Sequence, residues 1–402
     1  MSTSDALFLA RRYIEKAIAK RDGKLVMLAL DWSKAFDRFS PFALLQASRR
    51  FGLHQQFIDM IQAIYSSRTF FVHDQQHCSD SKPQHFGISQ GCPLSPMLFV
   101  IMMSVLIKDA RKDLIESIGD EAVHVHEILF ADDTLIADET GQFAEIYMQC
   151  IQRQGACYGL SLNWNKLMMI CINCNPHIAK PDGSNIRVTN SMIYLGGLLT
   201  DDGAITSELS RRVGMAYSDY SSLQRVWSHA NITRKRKIQI FNACIISKLL
   251  YGLDIAWLRQ NDLARLDTFQ ARTLKRICGI QHSFYNRISN EYVLRQACSI
   301  PLSSLLLQRQ LMLFGKIACK NHDLNPLRAM VFKSATSYDQ ASIDWQRKRG
   351  RPRLTWITEV HKLALHAANG RANLHELLRT SHDCFSIWSR FAKSYQQASS
   401  ID

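Results

Sequence analysis

The stretch that most constrains this chain is His126-Glu-Ile-Leu-Phe-Ala-Asp-Asp-Thr-Leu-Ile-Ala-Asp138. One apolar run enters, two adjacent carboxylates occupy the centre, and a second apolar run leaves. The pattern predicts a buried β-hairpin with Asp132 and Asp133 at its tip. Side by side against a core, two aspartates repel each other and lose hydration, a cost that a divalent cation would offset. An isolated Asp-Asp is more often a solvated surface turn. The rest of the sequence decides between the two readings.

A third carboxylate sits in the same kind of place. Leu25 to Leu30 is a continuous apolar strand that ends in Asp31, and Asp31-Trp-Ser-Lys-Ala-Phe-Asp37 leaves it. If this strand pairs with the hairpin, Asp31, Asp132 and Asp133 converge on one sheet edge. Two divalent ions about 3.5–4 Å apart at such an edge suit in-line phosphoryl displacement. Mg²⁺ accepts a few carboxylates and fills its other positions with phosphate oxygens and water. Gly87-Ile-Ser-Gln-Gly-Cys-Pro-Leu-Ser-Pro96 offers a glycine-bearing loop to a ligand, with Pro93 placed to begin the apolar helix that runs to about Lys112.

Elsewhere the first 200 residues alternate helices and strands. A helix is expected over 5–20. Ser40-Pro41 caps another that ends near Phe51-Gly52, and a third spans about 54–67. Strands are expected around 68–74 and 82–86, a helix over 142–158, and a hairpin that starts at Tyr194-Leu-Gly-Gly197 and turns at Asp201-Asp-Gly203. Beyond Ser207 the pattern is helical, over roughly 205–229, 234–257, 261–278, 288–297 and 301–320. This divides the chain into residues 1–203, a helical 204–330 and a basic 331–402.

Charge sharpens the division. Residues 1–200 carry 19 Lys and Arg against 20 Asp and Glu, a net of −1, and the remaining 30 against 15 give +15. A polyanion is the expected partner of the second half. Interleaved Trp227, Trp257, Trp345 and Trp356 are expected on that surface, and Arg347-Lys-Arg-Gly-Arg-Pro-Arg353 is its strongest charge run, in which Arg347, Lys348, Arg349, Arg351 and Arg353 are expected to contact phosphates. Eleven scattered cysteines suggest a reducing compartment. Cys171-x-x-Cys174-x-x-His177 has half a zinc spacing without a second pair, so structural thiols are favoured. No apolar run of membrane-spanning length and no secretory leader occur. An intracellular, nuclear location is expected.

Asp31-x-x-x-Ala-Phe36, Gln90-Gly-Cys-Pro-Leu-Ser-Pro96, Phe130-Ala-Asp-Asp133, Gly159-Leu-x-Leu-Asn-x-x-Lys166 and Tyr194-Leu-Gly196 follow one another in the order of the palm motifs of reverse transcriptases. The wording around Gln90 resembles non-LTR (LINE-type) retrotransposons. The resemblance implies an α+β right-hand polymerase palm, an antiparallel sheet with packed helices, followed by an all-α thumb and C-terminal extension. It implies an RNA-directed DNA polymerase that adds dNTPs to a DNA primer on an RNA template, using two Mg²⁺ (or Mn²⁺) ions. Asp31, Asp132 and Asp133 would hold the metals. Lys166 would protonate the leaving pyrophosphate, and Phe36 would exclude a 2′-hydroxyl. Gln90 and Gly91 would line the nucleotide and template site, and Tyr194, Leu195 and Gly196 would grip the primer. Only 30 residues precede Asp31, so residues 1–24 are expected to be a remnant of fingers in a chain truncated at its N-terminus. Two alternatives remain open: a catalytically inactive remnant that only binds nucleic acid, and an RNA-templated RNA polymerase, against which Phe36 argues.

Overall fold

The computed structural model describes residues 2–75, 77–119, 125–281, 288–320, 325–334, 337–341, 346–350, 354–379 and 384–395. The chain divides into two compact units. One comprises Met1–Ala6 with Asp22–Leu195, the other Leu7–Arg21 with Gly196–Asp402. The boundary expected near 203 thus lies inside the second unit. The first helix, α1 (Thr3–Ala19), contributes most of its length to that unit as well.

The first unit is built on β1 (Leu25–Leu30), whose six apolar residues are almost wholly buried, as a central strand covered on both faces requires. After it come a one-turn helix α2 (Ala35–Arg38), then α3 (Pro41–Phe51) and α4 (Gln55–Ser66). The expected cap holds: the Ser40 side chain accepts from the Ala43 amide, Pro41 opens α3, and Gly52 at φ +93° closes it. The strands expected at 68–74 and 82–86 are shorter than that. β2 (Thr69–Phe70) pairs with β5 (Lys82–Pro83), and β3 (His73–Asp74) with β4 (His77–Cys78). All of these residues are exposed, so no buried face extends the pairing.

Helix α5 (Ser95–Ile118) starts two residues later than Pro93 suggests, with Pro96 in its first turn. The Ser95 hydroxyl donates to the Ser89 carbonyl at 2.7 Å, and the Ser95 amide to Cys92 at 3.1 Å, so residues 92–94 belong to the preceding turn. The predicted hairpin is present as β6 (His126–Phe130) and β7 (Asp133–Asp138). It is followed by α6 (Gln142–Cys157), β8 (Met168–Ile172), β9 (Arg187–Val188) and β10 (Ser191–Tyr194). The main sheet has the order β6-β7-β1-β8-β9, antiparallel except for the β8–β9 pair. Its apolar side chains form one core with α3, α5 and α6.

The second unit opens with β11 (Gly197–Thr200). Asp201-Asp-Gly203 is not a hairpin turn. Its Asp202 carboxylate accepts from Thr200 Oγ1 at 2.7 Å and the Ala204 amide at 2.8 Å, which delivers the chain into helix α7 (Thr206–Ser222). Helices over Gln260–Ile277, Asn290–Gln296 and Leu302–Ala318 match the sequence-based spans, and one over Arg234–Phe241 begins where expected. The helix expected to reach 257 loses its α-helical bonding at a π-turn over Asn242–Ile246 and ends at Leu249. Among the described residues no helix is long and apolar enough to cross a membrane.

The tryptophans depart from expectation. Trp227 and Trp356 are core residues whose indoles donate to the carbonyls of Tyr220 at 2.7 Å and Asp254 at 2.6 Å, and Trp257 is half-buried. Trp345 lies outside the described residues. Large aromatics carry more apolar area than a basic surface can leave wet, and the helical core takes it. Tyr220, Trp227, Phe241 and Phe269 form a chain of rings with successive centroids 5.4, 6.5 and 6.4 Å apart.

Two mid-helix glycines in this unit should respond oppositely to alanine. A Cβ on Gly214 meets nothing within 4 Å, so Gly214→Ala should stabilise by about 0.5–1 kcal/mol through helix propensity. A Cβ on Gly315 would run into the Trp388 indole, which is fully buried and donates to the Leu311 carbonyl. Overpacking there costs about 1–3 kcal/mol, so Gly315→Ala should lower stability despite its better propensity. Urea unfolding followed by tryptophan fluorescence separates the two. Equal shifts of one sign would show that packing around Trp388 does not set the cost.

Candidate active site

The paired strands bring the predicted acids to one edge. In the β1–β7 ladder Leu30 lies opposite Thr134, and Asp31 and Asp133 are the next residues on each strand. Across the hairpin Phe130 pairs with Asp133, leaving Ala131 and Asp132 as a two-residue turn. Ala131 adopts φ +55°, a left-handed conformation that costs a non-glycine residue of order 1 kcal/mol. The hairpin holds that strain at the point where two carboxylates are presented.

The electrostatics of the edge follow from this crowding. Asp133 is half-buried and its carboxyl is pushed up, first by burial and then by Asp132 and Asp31, with Lys166 opposing. Asp31 Oδ2 is shut off from solvent and accepts no hydrogen bond. Its cationic neighbour is Lys166 Nζ at 3.4 Å. Among the described residues no three Asp, Glu, His or Cys side chains close a metal cage. A buried, unsatisfied carboxylate oxygen beside a second repelled carboxylate nevertheless fits a hard cation. Mg²⁺ takes one or two carboxylates and completes its shell with substrate phosphates and water.

Lys166 reaches Asp31 because the segment that carries it is laid along the exit of β1. Asn163 N–H donates to the Asp31 carbonyl and Ser33 N–H to the Ser161 carbonyl, both at 2.8 Å, and Trp32 bridges Leu162. Trp32 itself packs on α6 where Gly155 leaves room. A Cβ there would lie 2.6 Å from the ring.

Phe36 and the Gly87–Gly91 loop pack against one another. The Phe36 ring is half-buried and stacks on Phe99 with centroids 4.7 Å apart. Its carbonyl accepts from the Ile88 amide at 2.8 Å, and the Gly87 amide donates to Phe39 at 2.7 Å. Gly87 has φ +83°, and a Cβ would sit 2.8 Å from the Phe36 carbonyl oxygen, so only glycine allows this approach. Exposed Gln90 donates to Asp37 at 3.3 Å, and Gly91 at φ +86° faces open space. Tyr194 is buried, with its hydroxyl 3.4 Å from the Ile128 carbonyl and its ionisation pushed up by burial and by Asp133. It therefore lies within electrostatic reach of the acids. Leu195 follows at φ +45°.

In the second unit the Gly196 carbonyl accepts from Arg211 at 2.8 Å and from Arg212, and both arginines are paired with buried Glu208. Arg347, Lys348 and Arg349 are exposed, whereas Arg351 and Arg353 lie outside the described residues. Cys171 and Cys174 are free thiols. Cys174 Sγ lies 3.5 Å from the Leu25 carbonyl, and His177 faces Asn185 at 3.4 Å.

One positioning residue escaped sequence reasoning. Arg68 donates to the Gly87 carbonyl at 2.6 Å and to Ser89 Oγ at 3.2 Å, while its guanidinium stacks 4.2 Å over Tyr65. A lone arginine between α4 and β2 carries no motif. Its role depends on a loop about twenty residues away in sequence.

With this geometry in place, the comparisons are direct. Residues 2–199 match the reverse transcriptase (RNA-dependent DNA polymerase) family. The chain carries a reverse transcriptase domain. Its relatives, to which it is similar at 22–28% identity, include polyproteins of retrotransposable elements. The Pol polyprotein from a type-2 retrotransposable element of Drosophila melanogaster is 23% identical over 236 residues, 56% of this chain and 22% of that one. The RNA-directed DNA polymerase from mobile element jockey of the same organism is 24% identical over 268 residues, 62% and 28% of the two chains. The chain thus spans about a quarter of the length of these relatives. Apo telomerase from Candida tropicalis is a distant structural likeness, with a TM-score of 0.37 and 13% identity over 76% of this chain and 49% of that one. The family uses divalent metal ions and binds a nucleic-acid template.

Replacing Arg68 tests how the loop is held. Arg68→Ala removes two hydrogen bonds to residues 87–89, each of order 1 kcal/mol, so the amides of 87–91 should exchange with solvent about tenfold faster while those of β1 stay protected. Unchanged exchange in the loop would show that its bonds to α2 hold it alone.

Proposed function

We propose that this chain is an RNA-directed DNA polymerase that joins dNTPs to a DNA primer 3′-hydroxyl on an RNA template, assisted by two Mg²⁺ (or Mn²⁺) ions. The observation that carries this reading is the placement of Asp31 against Asp133 at the open end of the β1–β7 ladder, with Asp132 in the adjoining turn and Lys166 alongside.

Asp31, Asp132 and Asp133 would hold the ions, which supply the positive charge that phosphoryl transfer requires. Everything else is done by side chains and backbone. The Asp31 oxygen, which accepts no hydrogen bond and has the Lys166 ammonium 3.4 Å away, would exchange that ion pair for a cation, with the repelled Asp133 carboxylate beside it. Lys166 is close enough to Asp31 to swing between that carboxylate and a departing pyrophosphate, to which it can donate a proton. Phe36, stiffened by Phe99 and by its carbonyl bond to Ile88, would present a fixed aromatic ring to the incoming sugar, with which an added 2′-hydroxyl would collide. Gln90 and the open backbone at Gly91 are left to the base pair being formed. Tyr194 and the strained Leu195 approach the primer side.

The acids are tested by primer extension on an RNA template. Asp132→Asn and Asp133→Asn should each abolish extension while leaving the metal-free fold intact or more heat-stable, because each removes one repelling charge. Mn²⁺ titration by calorimetry gives an independent check. Wild-type binding retained in both variants would take the carboxylates out of the metal site. A wild-type chain that binds template–primer yet never extends it would support a nucleic-acid-binding role instead.

The ring is tested by sugar selection. Phe36→Val should admit ribonucleotides and cost about 1–3 kcal/mol of stability through the missing stack on Phe99. An active variant with unaltered dNTP/rNTP discrimination would make Phe36 a packing residue only.

A further inference from the structure

We propose that the end of helix α1 and the basic strap at 346–350 form one composite site for the phosphate backbone of a nucleic-acid duplex. The proposal rests on the reading of the chain as a nucleic-acid polymerase only for the identity of the polyanion. The site itself is written in the backbone of the second unit. Arg21 N–H donates to the Gln346 carbonyl at 2.8 Å, Lys348 N–H donates to the Ala19 carbonyl at 2.9 Å, and Lys20 and Arg347 form an antiparallel bridge between them. Arg21 also donates through its side chain to Gln346 Oε1 at 3.3 Å. The strap thereby satisfies a carbonyl that the end of a helix would leave without a partner.

This register sets cations against cations. Lys20 and Arg347, flanked by the two backbone bonds, are a non-hydrogen-bonded pair, the closer kind, with Cα atoms about 4.5 Å apart. Like charges directly opposite one another in such a pair are destabilising. Lys16 lies one helical turn before Lys20, whose amide bonds its carbonyl at 3.0 Å. Lys16, Arg21, Arg347, Lys348 and Arg349 are exposed and Lys20 is half-buried. A helix dipole accounts for lysines in the last turn of α1. It does not account for three further cations brought to the same place from the far end of the sequence.

Segments 16–21 and 346–350 hold six cations and no acidic residue, and exposed Asp22 directly follows the first. Neither segment contains an aromatic residue, although Trp345 directly precedes the second in sequence. Single-stranded nucleic acid is held largely by stacking bases on aromatic rings, whereas a duplex offers its phosphates outward. The chemistry points to the duplex.

The test is the salt dependence of binding by the full chain to a fluorescein-labelled RNA–DNA hybrid, read by anisotropy without divalent metal or nucleotide. Lys16→Ala/Lys20→Ala/Arg21→Ala should flatten the plot of log affinity against log salt by about two to three units, at roughly 0.9 for each phosphate left without its cation. Arg347→Ala/Lys348→Ala/Arg349→Ala should flatten it by a similar amount. The charge-preserving Lys16→Arg/Lys20→Arg/Arg21→Lys should keep the wild-type slope, which separates an effect of charge from an effect of folding. A wild-type slope in the helix-end alanine variant, or the same flattening in the charge-preserving one, would overturn the composite site. Weakening seen only with a single strand of equal length would overturn the duplex assignment. No nucleotide is present, so a chain that fails to extend primers leaves this test unaffected.

Discussion

The antiparallel pairing of β1 with β7 is the interaction on which the rest of the first unit depends. A strand rises about 3.3 Å per residue and its side chains alternate in direction, so a slip of one residue would move Asp31 away from Asp133 and force the side chains of both buried faces to repack. The register is held because Leu28, Leu30, Leu135 and Ile136 are all buried, and exposing any of them costs about 1.5–3 kcal/mol. Core packing thus fixes the relative position of two charges that would otherwise separate. Their repulsion is small beside the apolar area that would have to be exposed to relieve it. That imbalance lets a folded chain hold carboxylates together before any cation arrives.

The same logic explains the less regular features around the edge. The left-handed Ala131, the unsatisfied Asp31 oxygen and the close approach of Gly87 to Phe36 each cost free energy locally. None would be expected in a turn or loop selected for stability alone. All three lie within or beside the group of residues that the family motifs single out. The second unit shows the opposite treatment of charge. Buried Arg12 sits over Phe8 and Trp356, is paired with Glu15, and donates to the Ile255 carbonyl, while burial lowers its pKa to about 10. There a carboxylate, two aromatic faces and a carbonyl offset part of the cost of a buried ion, and α1 is fastened by it.

Legibility in the sequence followed the range of the interactions. The hairpin, the helix starting at Pro41 and the acids at strand ends are encoded within about a dozen residues each, by apolar periodicity, a Ser-Pro cap and glycine stops. Sequence reading found them for that reason. The start of α5 was misplaced because Pro93 and Pro96 both suit a first turn. The choice was made by the Ser95 hydroxyl reaching back to Ser89, an interaction invisible to composition. Arg68 was missed, and Trp227 and Trp356 were assigned to a surface they do not line. In each case the deciding partner lies on another element. The polar strands at 69–83 were overestimated because β-propensity without a buried face sustains only two-residue ladders.

Net charge illustrates the limit most clearly. Counting places nearly all the positive excess after residue 200, which correctly separates the halves but says nothing about where those charges stand in space. Arg211 and Arg212 are drawn inward by Glu208 and the Gly196 carbonyl, and Arg328 donates to the carbonyls of Ala318, Ser334 and Ser337. Such arginines act as structural donors, because the five N–H groups of a guanidinium can satisfy several buried carbonyls at once. They are not available to a polyanion. Lys16 and Arg21 stand early in the sequence, where the count is neutral, yet they lie beside the strap that the count does identify. A binding surface is therefore set by which cations lack an internal use, and only the tertiary fold decides that.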